Sequence, residues 1–554
     1  MTGLDFIDTT PPTRADPARA DIALFVGFVA PRIVHSLSVR EDKKGERFKA
    51  LRARLPEWLL AWWRERGWLP PEEGFAKKDF ERFANLVDIP VPVESWDAFD
   101  GLFKWDVRPL DGLGRRADTY LGAAVRGFFR SGGRSCIVVR VGEPALFSST
   151  SDQRWPLAGR LMEGAASSRA DRESWHGFGH LFGLPEVSMV CLPDLPDLLA
   201  MDPPPQPLPP GPETEERFVE CPKEGNCAKP EKTASAAELR FISPPRCDEL
   251  GFKEWTNCIQ KVREFLRLEA RETVFLAALP LCEDEKSIEK RGDLFRLPLQ
   301  TRQRRVKDRL KAVRDAQFKA ASEIESAFVQ LVYPWLRTRD SGTMPGDLEP
   351  PDGALVGMVA NLALTRGAWR ILTREAVPWL YAVEPILSRT DLDTKHNTRQ
   401  PPLRERVTIF GFTSSGLRLL SDVTTDDEPL WRPASTVRLM NLLVRAARQA
   451  GEQSVFMNNG EELWGRLRRT MDQLLSGLWA DGALYGATPA EAFEVRCDRS
   501  TMTQADIDAG RAIVRIAFLA AEPIMRIVVS LTMNEAGQLS VSSEETGDLE
   551  RKAA

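Results

Sequence analysis

Near the C-terminus, apolar residues fall at Trp464, Leu467, Met471, Leu474, Leu475 and Leu478, the three-and-four spacing that puts them on one face of a helix. Gly482 and Gly486 end that helix. Thr488, Pro489 and Glu491 then form a capping signal, with a hydroxyl for an orphan N–H, proline at the first helical position and a carboxylate reaching back. A short helix follows from it. Phe493, Val495 and Cys497 alternate with Glu494, Arg496 and Asp498, which predicts a half-buried strand. The alternation returns at Ile527, Val529, Leu531 and Met533, interleaved with Val528, Ser530 and Thr532.

The N-terminal half is written in the same way. Residues 20–31 form an apolar run too short for a membrane span and suited to a buried strand. Ser95 opens a small helix. Tyr120, Leu121, Ala124, Val125 and Phe128 share a helix face, closed by Gly132 and Gly133 before a strand at 136–141. Residues 184–194 read as another buried strand ending at a proline. Val306, Leu310, Val313, Ala320, Ile324, Phe328 and Leu331 trace the stripe of one long helix. Its other faces carry Arg302, Arg304, Arg305, Lys307, Arg309, Lys311 and Arg314, a basic surface that meets either solvent or an acidic neighbouring subunit. Leu55, Trp58, Leu59, Trp62, Trp63 and Trp68 describe an amphipathic helix, either lying on a membrane surface or forming the core of a small helical unit.

Composition narrows the function classes. At 554 residues, with ordinary apolar and charged fractions, the chain is long enough for several globular domains. There is no secretory leader pattern and no apolar run long enough to span a bilayer, so synthesis in the cytoplasm and no direct membrane insertion are expected. A net charge of −5 disfavours general nucleic-acid binding. Neither a phosphate-binding loop nor a dinucleotide fingerprint nor a nucleophile elbow occurs, and no cofactor is expected. His176 and His180 have metalloprotease spacing, but two glycines lie between them, no glutamate follows His176 and no third ligand is near, so a structural loop is expected. Cys221, Cys227, Cys247 and Cys258 lack the paired knuckles of a zinc site and are expected as free thiols. No metal is expected. Cys136, Cys191 and Cys497, inside apolar strands, read as small core residues. The proline tract at 203–212 reads as a stiff linker.

Residues 486–498 (GATPAEAFEVRCD) closely resemble the C-terminal domain of contractile phage tail sheath proteins, and residues 501–511 (TMTQADIDAGR) extend the likeness. Upstream, 333–336 (YPWL), 350–357 (PPDGALVG), 411–421 (GFTSSGLRLLS) and 458–464 (NNGEELW) are similar to further landmarks of that family, in its order. The N-terminal strand, the helix with its glycine pair and the strand at 184–194 also resemble it. The resemblance implies a non-enzymatic, multidomain α/β (α+β) tail-sheath fold with a discontinuous body, surface insertions and terminal β-arms. The expected divisions are an N-terminal arm at 1–19; a first body segment at 20–200 carrying a tryptophan-rich insertion at 36–87; an outer insertion at 201–302; a second body segment at 303–400; a C-terminal domain at 401–522; and a C-terminal arm at 523–554. By resemblance, many copies wrap helically around an inner tube protein on a baseplate, closed by a cap, and contract to drive the tube through a target envelope. The particle is either a virion or an injection device released from the cell. A minor cap or baseplate-proximal component, or an α/β enzyme, are the alternatives. Sheath families link neighbours through terminal arms, which places that role here on Leu4, Phe6 and Ile7 and on Ile527, Val529, Leu531 and Met533.

Overall fold

The computed structural model describes residues 19–32, 44–72, 75–109, 116–147, 149–202, 244–284, 298–373, 375–393, 402–414, 416–453 and 457–521, with the backbone of two further strands. The first apolar run becomes β1 (Ala23–Phe28), buried along its whole length. It joins β2 (Pro90–Val93), β3 (Cys136–Gly142), β4 (Met189–Cys191), β5 (Val274–Ala278), β6 (Val329–Tyr333), β7 (Val407–Thr413) and β8 (Gly416–Leu419) in one sheet. The spatial order is β8-β7-β6-β5-β4-β1-β3-β2. β1 and β3 to β7 run parallel, while β2 and β8 close the edges antiparallel.

Parallel strands are joined by crossovers that cover both faces of the sheet, which is why these strands are near-continuous apolar runs. Along β1, Leu24, Val26 and Phe28 enter the core on one face and Ala23 and Phe25 the core on the other. The second face is covered by α1 (Lys44–Arg54), α2 (Glu57–Glu65), α3 (Lys77–Ala84), α4 (Tyr120–Arg130) and, from later in the chain, α9 (Asp352–Thr365). The first is covered by α5 (Ser151–Met162), the short α6 (Leu195–Leu198), α7 (Glu249–Glu269) and α8 (Leu299–Glu323). α4 and α9 pack backbone to backbone: a Cβ at Gly353 would lie 2.2 Å from the Ala124 carbonyl oxygen. Only glycine permits that approach.

Several sequence expectations change here. The tryptophan-rich segment is two helices broken at Pro56, and they pack on the sheet as part of its core. Trp63 is fully buried, with its indole N–H on the Pro90 carbonyl at 2.7 Å, while Trp58 is exposed. The long stripe is a helix only to Glu323. Ser326 then turns the chain, its hydroxyl accepting from the Phe328 N–H at 3.0 Å, and Leu331 belongs to β6. A buried parallel strand is apolar at nearly every position, so it satisfies a helical stripe that runs into it. The stretch at 184–194 contributes only the three residues of β4 to the sheet.

The outer insertion at 201–302 needs the largest correction. α7 and β5 lie within it, and β5 is an interior strand between β4 and β6. From residue 244 to 284 this is body, not addition. The proline tract, with Cys221 and Cys227, lies outside the described residues. The boundary at 401 also moves, because β7 and β8 belong to the body sheet. The C-terminal module begins after them, with α10 (Ala434–Glu452), α11 (Glu461–Ala480), α12 (Pro489–Ala492) and a four-stranded antiparallel sheet in the order β9-β10-β11-β12. Its strands are β9 (Phe493–Arg496), β10 (Ala512–Ala520), β11 (Met525–Met533) and β12 (Leu539–Glu545).

Candidate functional site

In an open α/β sheet, ligands enter beyond the carboxyl ends of the strands, where the strand order reverses. That reversal lies here between β1 and β4, and the chain's own residues fill it. The Asp194 carboxylate accepts the Phe28 N–H at 2.7 Å, and a Cβ on Gly27 would lie 2.2 Å from the same carboxylate. Beside it, Arg108 is paired with Asp197 at 2.6 Å, and Arg154 donates to the carbonyls of Asp197 and Ala200 at 2.6 and 2.8 Å. Burial pushes the Asp194 carboxyl up to about 7 and that of Asp352, at the start of α9, up to about 6. Such a buried network fixes one packing arrangement. It occupies the space a substrate would need.

His176 and His180 converge on one carboxylate. His176 Nδ1 lies 2.6 Å from Asp88 Oδ2, His180 Nε2 lies 3.2 Å from Asp88 Oδ1, and the Gly177 N–H donates to Oδ1 at 2.8 Å. Burial alone would raise the Asp88 pKa, but the bonds and charge of His180, with His176 and Gly177, hold it far below the usual carboxylate range. Burial lowers the pKa of His180. The three residues tie the helical unit to the loop ahead of β4. Cys136, Cys191, Cys247, Cys258 and Cys497 are buried free thiols. Among the described residues no helix is long and apolar enough to cross a membrane.

The more developed construction is the C-terminal module. Leu463, Leu467, Met471, Leu475 and Leu478 of α11 pack against Val514, Ile516 and Phe518 of β10. The Trp464 indole donates to Asn459 Oδ1 at 2.8 Å, and the Asn459 amide donates to the Arg511 carbonyl at 3.2 Å, joining the start of α11 to the entry of β10. In the segment before β10, Asp506 accepts the Thr503 hydroxyl at 2.6 Å and Arg511 at 2.7 Å. The Thr503 contacts, then Arg511, draw the Asp506 carboxyl down to about 2. The expected cap at α12 is present in altered form, since Glu491 accepts from the Ala487 N–H at 3.0 Å.

α10 docks this module on the amino ends of the body strands. Arg438 donates to both oxygens of buried Asp422, at 2.7 and 3.1 Å, and to the carbonyls of Ala368 and Arg370. Asp422 also accepts from Gln330 and from the Leu372 N–H, each at 3.0 Å. Farther along α10, Arg445 donates to the Arg19 carbonyl at 2.6 Å, and Arg448 pairs with Glu272.

Residues 426–534 match the family model of the phage tail sheath C-terminal domain. The C-terminal module is of the tail sheath type. The match spans α10 to β11 and takes in the motifs at 458–464, 486–498 and 501–511. A chain of the anti-feeding prophage (AFP) baseplate in the contracted state has the same fold, with a TM-score of 0.51 at 16% identity over 94% of each chain. The AFP helical sheath in the contracted state gives 0.47 at 17% identity, covering 94% of this chain and 97% of that one. The sheath of the PVC extracellular contractile injection system, also contracted, gives 0.43 at 16%, covering 79% and 84%. No curated protein matches the chain.

Of the residues expected to link subunits, Leu4, Phe6 and Ile7 lie outside the described residues. Ile527, Val529, Leu531 and Met533 stand in β11 opposite Phe518, Ile516, Val514 and Ala512, the core-facing positions of β10. β11 pairs on its other side with β12 of the same chain, so β12 is the edge strand. The docking residues Asp422 and Arg438 and the plug around Asp194 went unread in the sequence. Their charge gave no sign of burial, and the partners of Asp194 and Arg438 include backbone groups that no side-chain motif records.

Proposed function

We propose that the chain is a structural subunit of the contractile sheath of a phage tail-like injection system, forming a helical sleeve around an inner tube. The observation that carries this reading is the tail sheath C-terminal domain at 426–534, joined through Asp422–Arg438 to a body whose ligand crevice is filled. The self-assembly is proposed to use strand exchange, in which main-chain hydrogen bonds of about 0.5–1.5 kcal/mol each hold neighbours together while side-chain contacts rearrange. β12, the edge strand among the described residues and the one nearest the C-terminus, is proposed as the segment that exchanges, with β11 as its template. The N-terminal arm supplies the second link. Its other partners are then an inner tube protein, a baseplate and a cap, in a particle built in the cytoplasm and released from it.

A baseplate-proximal component is the second reading, favoured by the likeness to a chain of the AFP baseplate. Immunogold labelling of particles from the native host separates the two. Gold along the whole sleeve is expected of the main sheath; gold at one end alone indicates the minor component, and unlabelled particles would refute both.

A further inference from the structure

Residues 244–284 carry a small strand pair outside the body sheet. Arg246–Cys247, just ahead of α7, runs parallel to Leu281–Cys282, just beyond β5, and in its register Cys247 stands opposite Cys282. Register partners on adjacent strands lie about 4.8 Å apart with their side chains on the same side, inside the range of roughly 4.4–6.8 Å between the Cα atoms of a disulfide. Both are free thiols. Cys247 is fully buried and donates to the Leu199 carbonyl at 3.5 Å, whereas Cys282 is partly exposed and lines a cleft of about 780 Å³ with Arg246, Arg314 and Tyr333. No other cysteine among the described residues faces a second one across a strand pair: Cys136 stands opposite Ala23 and Val93, and Cys191 opposite Phe25 and Leu276.

We propose that Cys247 and Cys282 are a redox pair, free thiols in a reducing medium and a disulfide in an oxidising one, which locks the entry of α7 to the exit of β5. The oxidant is a low-molecular-weight disulfide such as oxidised glutathione, entering by the cleft. The Cys282 thiolate attacks one of its sulfurs, breaking the oxidant's S–S bond and expelling one glutathione thiolate, which takes up the proton Cys282 gave up. The Cys247 thiolate then attacks Cys282 Sγ and expels the second glutathione, so two protein thiols are oxidised as one oxidant is reduced to two thiols. Burial pushes the Cys282 thiol up to about 12 and that of Cys247 higher still, so little thiolate is present and the exchange is slow. The link constrains the unfolded chain and so favours the folded one. On the proposed function it stays open while the subunit is made in the reducing cytoplasm and closes after release; the chemistry itself needs only the oxidant and stands apart from that reading.

The test uses the purified full-length chain, kept folded for hours in mildly alkaline buffer with either oxidised or reduced glutathione, then unfolded, alkylated, cut with trypsin without reductant and analysed by mass spectrometry. Disulfide-linked peptides 247–253 and 272–286 are expected, at least about tenfold more abundant in the oxidised sample. The urea midpoint of the oxidised chain should exceed that of the reduced one. Cys282→Ala should abolish both the linked peptides and the difference in midpoint, while Cys258→Ala should leave both. Circular dichroism checks that each variant is folded, and the peptide map of the unaltered chain decides where one is not. Cys247 and Cys282 both alkylated after oxidation, either one joined instead to Cys221, Cys227 or a second chain, Cys282 halted as a mixed disulfide with glutathione, or linked peptides with an unchanged midpoint would each overturn the proposal. None of these outcomes bears on the sheath reading.

Discussion

Asp422 is fully buried, and burial alone would favour its neutral form. The charge and hydrogen bonds of Arg438, together with the Leu372 N–H and Gln330, outweigh that and hold its pKa below the ordinary value. Removing one partner of such a pair strands the other charge in a place without water, at a cost of about 3–5 kcal/mol. Arg438→Met is therefore expected to lower the urea midpoint by that equivalent and to loosen the C-terminal module first, read as faster amide exchange in α10 than in β1. Equal exchange in both would contradict the docking role. Asp194 makes an opposite prediction. Burial raises its pKa to about 7, above an unfolded value near 3.9, so the native state binds the proton that the unfolded chain releases. Its contribution is complete below pH 3.9 and is lost as pH rises through 7, with a slope of up to about 1.4 kcal/mol per pH unit. Asp194→Asn, which cannot ionise, should flatten the fall in stability between pH 5 and 7 in denaturant titrations; an unchanged slope would remove Asp194 as its source.

At the level of elements, removing β12 leaves β11 paired to β10, so a variant ending before Leu539 should remain folded by circular dichroism yet form no sleeves in sedimentation. Deleting residues 4–10 should do the same. Normal tubes from either truncation would exclude that terminus as a link. The outer position proposed for 203–243 from its proline tract predicts that limited proteolysis of intact sleeves cuts there before any body strand. Earlier cleavage in α7 or β5 would reverse the assignment. The elements legible in the sequence were α4, α11 and β9, each with one clear period, and β1, a short continuous apolar run; all four fall where those patterns put them. β5 was lost because the proline tract read as a linker to an outer insertion that ran to where the family landmarks resume, although 274–278 is an apolar run of the kind read correctly at β1. The run from α8 into β6 misled for the reason that a strand buried on both faces has no period of its own. The switch-point plug was invisible, because it depends on residues brought together from β1, α4 and the loop after β4.

As a whole, the molecule is a mostly parallel mixed sheet with its crevice filled, carrying at the opposite strand ends a module of the tail sheath type. On the proposed sheath reading, work would come from assembly itself, as a metastable extended sleeve whose interfaces are collectively weaker than those of the shortened one and stay behind a kinetic barrier. Such a device needs rigid units joined by exchangeable strands. The buried Asp422–Arg438 weld joins the two units within the subunit, and the proposed strand exchange assigns the second role to the β9–β12 sheet, whose edge among the described residues is β12. The most direct measurement is the length, by electron microscopy, of purified extended particles exposed to mild acid or denaturant without nucleotide and then returned to the starting buffer. The account predicts sleeves that shorten without ATP and remain short. A strict requirement for ATP, or sleeves that re-extend on buffer exchange, would contradict it.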